Sequence, residues 1–188
     1  GDAGIDLGGE LAAPTIAGRE AFVATDAGAV LALDAGSGRV RWLARYPTAT
    51  PEGRSGLVQL LNRPAGRCVV IGDRVAVLPR DSLGLFSFTR ADGAVAWSRE
   101  FAAGRVLIGD VAGGLVLQGV EVEAIDPQAG ATRWRWRPRD GVVIGQAVVD
   151  ANGVTVATHA ALHRLGRDGR ETAATPWREL GVTGSAPG

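Results

Sequence analysis

The feature that most constrains this chain is an internal repeat. The stretch Ala32–Trp42 (ALDAGSGRVRW) recurs as Ser87–Trp97 (SFTRADGAVAW) and as Ala124–Trp134 (AIDPQAGATRW). In each copy a glycine stands four residues before the tryptophan and four after the third residue: Gly38 between Asp34 and Trp42, Gly93 between Thr89 and Trp97, Gly130 between Asp126 and Trp134. A fourth, degraded copy is Arg164–Gly169, one residue shorter and without a Trp where Ala173 falls. Three matched spacings in one chain require one supersecondary unit used several times over.

The residues upstream of each copy read as short strands. Ala21–Thr25 and Ala29–Leu33 are apolar runs around Asp26-Ala27-Gly28, a hairpin signal. Arg74–Leu78 and Leu85–Phe88, Leu115–Gln118 and Val122–Ile125, and Val154–Thr158 and Ala161–Leu165 repeat the arrangement. A further short apolar strand precedes each pair, as in Pro14–Ala17 and Ala147–Val149. No segment sustains a helical period. Each unit is therefore about four strands joined by tight turns, which is a propeller blade. The predicted fold is all-β: a β-propeller of four-stranded antiparallel blades, about four in this chain, making a partial ring.

Spacing divides the chain. Trp97 to Trp134 is 37 residues and Gly130 to Gly169 is 39, whereas Trp42 to Trp97 is 55 and carries an insertion. The blades are expected at about 14–47, 68–101, 102–138 and 141–180, with the insertion at 48–67 and tails at 1–13 and 181–188. Within the insertion, prolines and glycines surround an apolar patch holding Leu57, Leu60 and Leu61.

The motif has its own physical logic. Asp34 or Asp126 can bond turn amides, and the later glycine tolerates the positive φ that closes a strand connection. Trp supplies a large apolar body and one N–H donor at a fixed distance from that turn. The pattern Ala-x-Asp-x-x-x-Gly-x-x-x-Trp resembles the tryptophan-docking motif of the pyrroloquinoline-quinone-type β-propeller repeat. That repeat occurs in quinoprotein dehydrogenases and in a non-enzymatic outer-membrane assembly lipoprotein of Gram-negative bacteria. The first and third copies match all four defining positions; the second carries Ser87 for Ala and Thr89 for Asp. The resemblance implies that Trp42, Trp97 and Trp134 dock between adjacent blades, so that each Trp→Ala change costs about 3–5 kcal/mol. Rings of this family usually have seven or eight blades. The chain also has no Met, even at position 1, and is expected to be a processed or excised piece of a longer propeller.

Composition narrows the function classes. Hydrophobic residues make up 46% and charged residues 21% of 188, enough to bury a core. Twenty basic residues, all Arg, balance twenty acidic ones, which argues against a general nucleic-acid or anionic-membrane binder. No apolar run reaches the ~18 residues of a spanning helix. The one Cys, Cys68, excludes an internal disulfide. It precedes Val69-Val70-Ile71 and reads as a buried small hydrophobe.

The remaining candidates point away from chemistry. The resemblance implies, for alcohol-oxidising members, a quinone between a Trp face and adjacent cysteines, with calcium held by Glu, Asn and a catalytic Asp. Cys68 stands alone, and neither Asn62 nor Asn152 sits in such a constellation. His159 and His163 are four apart, but in a strand-turn-strand pattern that spacing does not make a metal pair. Glu121 and Glu123 share a strand face, expected to be solvated rather than an acid/base pair. In Arg133-Trp134-Arg135-Trp136-Arg137, alternation places Arg on one face and Trp on the other, so an amphipathic outer strand explains the string better than nucleic-acid stacking. No phosphate-binding glycine loop and no G-x-S-x-G elbow is present.

The sequence thus predicts no catalytic, cofactor-binding or metal residues. The expected function is a non-catalytic scaffold or protein-binding module of a bacterial envelope, periplasmic or at the cell surface. Its partner would be a protein or the remaining blades, with Leu57, Leu60 and Leu61 as contacts. The alternative is part of a quinoprotein dehydrogenase using pyrroloquinoline quinone and calcium. A third reading is a polymer-binding propeller with exposed Trp136, Tyr46 and Trp177 as sugar contacts.

Overall fold

A computed structural model of the chain describes residues 13–25, 27–48, 66–101, 104–139 and 141–181. Among these residues, sixteen strands form four antiparallel four-stranded sheets, each built from strands consecutive in sequence. The first blade is β1 (Thr15–Ala17), β2 (Glu20–Ala24), β3 (Ala29–Asp34) and β4 (Val40–Arg45). The second is β5 (Cys68–Ile71), β6 (Arg74–Val77), β7 (Gly84–Thr89) and β8 (Val95–Glu100). The third is β9 (Val106–Val111), β10 (Gly114–Gln118), β11 (Val122–Ile125) and β12 (Thr132–Trp136). The fourth is β13 (Val143–Asp150), β14 (Gly153–Thr158), β15 (Ala161–Gly166) and β16 (Glu171–Pro176), followed by a single 3-10 turn, Trp177–Leu180. These are propeller blades, as the repeat predicts. Among the described residues, no helix is long and apolar enough to cross a membrane.

The chain divides into two compact units. One runs to Leu107 and includes the turn Pro127–Gly130; the other holds Ile108–Asp126 and the residues from Ala131 on. In both, middle strands are mostly apolar and buried on both faces: β2, β10 and β11 throughout, and β7 but for its last residue. A strand that must be covered on two sides reads as a continuous apolar run rather than an alternation. The fourth strand of the first blade alternates, with Trp42 and Ala44 buried between exposed neighbours.

The cross-strand register explains the first position of the repeat. Ala32 pairs with Trp42, Ser87 with Trp97 and Ala124 with Trp134, and a bulge follows immediately in each case. A small residue opposite the tryptophan leaves room for the indole, and the bulge accommodates the extra residue on the returning strand. In the fourth blade the sizes are reversed: Arg164 faces Ala173.

The core of the first unit gathers Phe22, Val30, Trp42, Val75, Phe86 and Phe88. The indole of Trp42 lies between rings, 5.9 Å from Phe22 and 6.5 Å from Phe88 by centroids. A buried ionic clamp accompanies this packing. Glu20 accepts from Arg41 Nη1 and from Arg90 Nε, each at 2.6 Å, and Arg90 Nη2 also donates to the Ala17 carbonyl at 3.1 Å. Tyr46 is buried, its hydroxyl held at the Thr25 carbonyl and 2.9 Å from Asp81 Oδ1. Cys68 is buried, and that burial pushes its thiol up to about 12, so it stays protonated and unreactive near neutral pH.

Ser87 is an imperfection in this core. It is fully buried opposite Trp97, and among the described residues its Oγ has no hydrogen-bond partner. The first and third copies carry alanine there. Leaving a buried hydroxyl unsatisfied costs stability, so Ser87→Ala is expected to raise the unfolding free energy by about 1 kcal/mol, measured by urea denaturation.

Candidate functional site

The residues of the repeat motif are brought together by contacts between one copy and the next. The Trp42 indole donates from Nε1 to the Arg90 carbonyl at 2.9 Å, that of Trp97 to the Pro127 carbonyl at 2.8 Å, and that of Trp134 to the Arg167 carbonyl at 3.0 Å. The first two acceptors lie three residues before Gly93 and Gly130, the third two residues before Gly169, in keeping with the shorter fourth turn. Each of these glycines is buried beneath the indole. A Cβ on Gly93 would come within 2.6 Å of Trp42, on Gly130 within 3.0 Å of Trp97, and on Gly169 within 2.4 Å of Trp134. All three also have φ between 69° and 77°, the left-handed region. Glycine is therefore required twice at each position, for its backbone and for its missing side chain.

Gly38 has the same backbone, φ 70°, but is exposed, and nothing among the described residues lies within 4 Å of where its Cβ would be. Its turn is held by Asp34, whose Oδ1 accepts from the Ser37 amide at 2.8 Å and the Ser37 hydroxyl at 2.7 Å. These bonds hold the Asp34 carboxyl below the usual carboxylate range. Asp126 is also engaged by Arg133, from Nη2 at 2.8 Å and Nε at 3.1 Å.

Several expectations are corrected by burial. Glu123 is not on a solvated face: it is fully buried, bonded by the Thr132 hydroxyl and by Arg135 Nη2 at 3.1 Å. Arg135 also reaches Glu121 at 3.2 Å, and bonding to Glu123 raises the guanidinium's own pKa. Tyr46 and Trp136 are buried and cannot serve as exposed sugar contacts; Trp177 alone of that trio is half-exposed. Leu57, Leu60 and Leu61 lie outside the described residues.

His159 and His163 part company. His159 is exposed, while His163 is buried, with Nε2 3.2 Å from Thr158 Oγ1 and its ring 5.1 Å from that of Trp136. Both border a cleft of about 530 Å³ on the fourth blade, together with Glu171, Trp177 and the exposed Arg139 and Arg178. Trp177 is fixed by donation from Nε1 to the Thr158 carbonyl at 2.8 Å, and Glu171 Oε2 accepts from Trp136 Nε1 at 3.1 Å. Sequence reasoning missed this grouping because Glu171 is made a neighbour of His163 only by strand pairing. Among the described residues, no three His, Cys, Asp or Glu side chains are grouped to hold a metal ion. The adjacent-cysteine element of a quinone site does not fit a chain with one buried Cys.

These blades define a protein of the pyrroloquinoline-quinone-type β-propeller repeat class. Residues 5–122 match the family model described as outer membrane protein assembly factor BamB, and the chain belongs to that family. No curated protein matches the chain. Among solved structures, it is similar to BamB from Moraxella catarrhalis, at 20% identity and a TM-score of 0.59, over 84% of this chain and 49% of that one. It is also similar to the quinohemoprotein alcohol dehydrogenase from Comamonas testosteroni, at 17% identity and a TM-score of 0.63, over 88% of this chain and 35% of that one. The quinohemoprotein alcohol dehydrogenase ADHIIG from Pseudomonas putida HK5 gives 18% identity and a TM-score of 0.64, over 88% and 34%. The chain thus spans half or less of the length of these structures.

The comparison of Gly38 with Gly93 isolates the indole contact from backbone strain. Both substitutions to Ala carry the left-handed penalty of about 1–2 kcal/mol. Gly93→Ala must also displace the Trp42 ring, and is expected to cost a further 1–3 kcal/mol or so. Chemical denaturation of the two variants reads the difference directly.

Proposed function

We propose that the chain is a non-catalytic β-propeller scaffold, a protein-binding module of a bacterial cell envelope that forms part of a larger propeller. The observation that carries this reading is the match of residues 5–122 to the family described as an outer membrane protein assembly factor. The repeated tryptophan contact supports it. In this reading Asp34, Gly38, Trp42, Gly93, Trp97, Asp126, Gly130 and Trp134 are docking residues with a structural task. Each indole fills the space above a bare glycine and satisfies a turn carbonyl, so that successive turns are held at a fixed separation. Within each unit the blades present their connecting loops as a surface, and recognition of a protein partner falls to those loops and to the 48–67 insertion.

Stability of the Trp variants tests the docking assignment. Trp42 is 8% exposed and packs in the core, so Trp42→Ala is expected to cost about 3–5 kcal/mol. Trp42→Phe keeps an aromatic body but loses the bond to the Arg90 carbonyl, and should cost about 1–2 kcal/mol. An unchanged melting temperature in Trp42→Ala removes the docking role.

The scaffold reading is tested by titrating the chain with pyrroloquinoline quinone and calcium while following quinone absorbance and dye-linked alcohol oxidation. A scaffold gives neither saturable binding nor turnover. Saturable binding with turnover would replace it by the quinoprotein dehydrogenase reading.

A further inference from the structure

The turn between β3 and β4 of the first blade repeats, bond for bond, a turn on which an indole rests. Gly38 donates to the Asp34 carbonyl, and Asp34 to the Arg39 carbonyl, both at 2.8 Å. In the second blade Gly93 donates to the Thr89 carbonyl at 2.9 Å, and Thr89 to the Ala94 carbonyl at 2.8 Å. The residue after the first is anchored alike: Ala35 donates to the Arg19 carbonyl and Arg90 to the Asp73 carbonyl, each at 2.9 Å. The two glycines have φ of 70° and 75°. The Ala35 carbonyl thus holds the place from which the Arg90 carbonyl accepts the Trp42 indole N–H. Among the described residues, no donor bonds the Ala35 carbonyl.

The turns differ in their cover. Gly93, Gly130 and Gly169 are buried beneath indoles, and the apolar residues that lead into their turns, Phe88, Ile125 and Leu165, are fully buried with them. Gly38 is exposed, and Leu33, at the place of Phe88, is only partly buried. Strand pairing joins Leu33 to Ala21, and Leu31 to both Val23 and Leu43, so these five side chains share the face turned away from Trp42. Leu43 on that face is 37% exposed. An open hollow of about 340 Å³ lies at the turn, lined by Asp34, Ser37, Arg39, Val40 and Arg41.

The chemistry of the turn selects the occupant. A bare glycine admits a flat ring at close range, and a carbonyl beside it asks for one donor. A phenyl ring would cover the glycine but bury the carbonyl without a partner, which is costly. An indole meets both needs, as it does at the other three turns. A second copy of this chain has no such indole to give at the motif position of its fourth blade, where Ala173 stands. Its five tryptophans are already committed, four to backbone carbonyls and Trp136 to Glu171. The partner that fits is a blade outside these four, with a tryptophan at the motif position of its outer strand.

We infer that the Asp34–Gly38 turn is the receptor for a tryptophan of another blade, whose indole rests on Gly38 and donates to the Ala35 carbonyl. The inference rests on the reading of the chain as part of a larger propeller, and adds the turn and the side chain through which the rest is joined. The probe is N-acetyltryptophanamide, titrated into the whole chain while the backbone amides of Gly38 and Val40 are followed by NMR. Saturable perturbation is expected at both. The same probe methylated on the indole nitrogen has no donor and should bind about fivefold more weakly or worse. Gly38→Ala places a methyl group where the ring would lie, and should weaken the parent probe about tenfold or more. Failure to saturate, equal binding of the methylated probe, or undiminished binding to Gly38→Ala would each overturn the assignment. So would a shift of the Gly38 amide with protein concentration alone, which gives the turn to a second copy. None of these outcomes involves quinone or calcium, so the scaffold reading stands or falls separately.

Discussion

An indole resting on a bare glycine, with its N–H directed to a carbonyl of the same turn, is the interaction on which the rest of this structure depends. Propeller blades are short sheets whose middle strands are apolar on both faces, and such sheets are unstable in isolation. They need to be covered, and the cover must be held at a defined distance and angle. A hydrophobic contact alone fixes neither, since burial of apolar area is non-directional. The indole supplies both properties at once. Its body buries a large area, and its single donor finds one acceptor, at 2.8–3.0 Å in all three instances. The glycine completes the device by removing the one atom that would hold the ring away.

Three glutamates show how the same side chain takes different roles in this scaffold. Glu20 is enclosed by two guanidiniums, and Glu123 by a hydroxyl and a guanidinium. Both are buried charges with their hydrogen bonds filled, the condition under which such charges are tolerated. They fix register and have no free valence for a ligand. Glu171 is more exposed: it takes one bond from Trp136 and lies 3.3 Å from His163 Nδ1.

Much of this fold is legible in the sequence, and the reason is local. The glycine at a fixed interval, the small residue opposite the tryptophan and the apolar runs before them are all set within about a dozen residues, where turn chemistry and strand alternation decide the outcome. What alternation cannot reveal is whether a face is covered by something distant in sequence. Glu123 and Trp136 both obey the expected alternation, yet both are buried. Tyr46, at the end of the first blade, is enclosed by Asp81 from the second, a residue 35 positions away. The Glu20–Arg90 clamp spans 70 positions and has no local signature at all. The cleft lies beyond sequence reading for the same reason, since His163 and Glu171 are joined by pairing between β15 and β16.

The cleft also follows from the decay of the repeat. In the first three blades the fourth strand carries a tryptophan opposite a small residue, and the third blade adds an arginine that reaches back to the third strand. In the fourth blade both features are gone. Ala173 stands where the tryptophan would be and Ala174 where Arg135 has its counterpart, and β16 is exposed along most of its length. The aromatic returns late, as Trp177 in the 3-10 turn, and its N–H goes to the Thr158 carbonyl of its own blade rather than to another turn. Ala174, small where Arg135 is large in the third blade, leaves volume beside His163, whereas Ala173 does not line the cleft. The lost tryptophan thus removes the indole contact from this blade, while the cleft follows from the alanine beside that position.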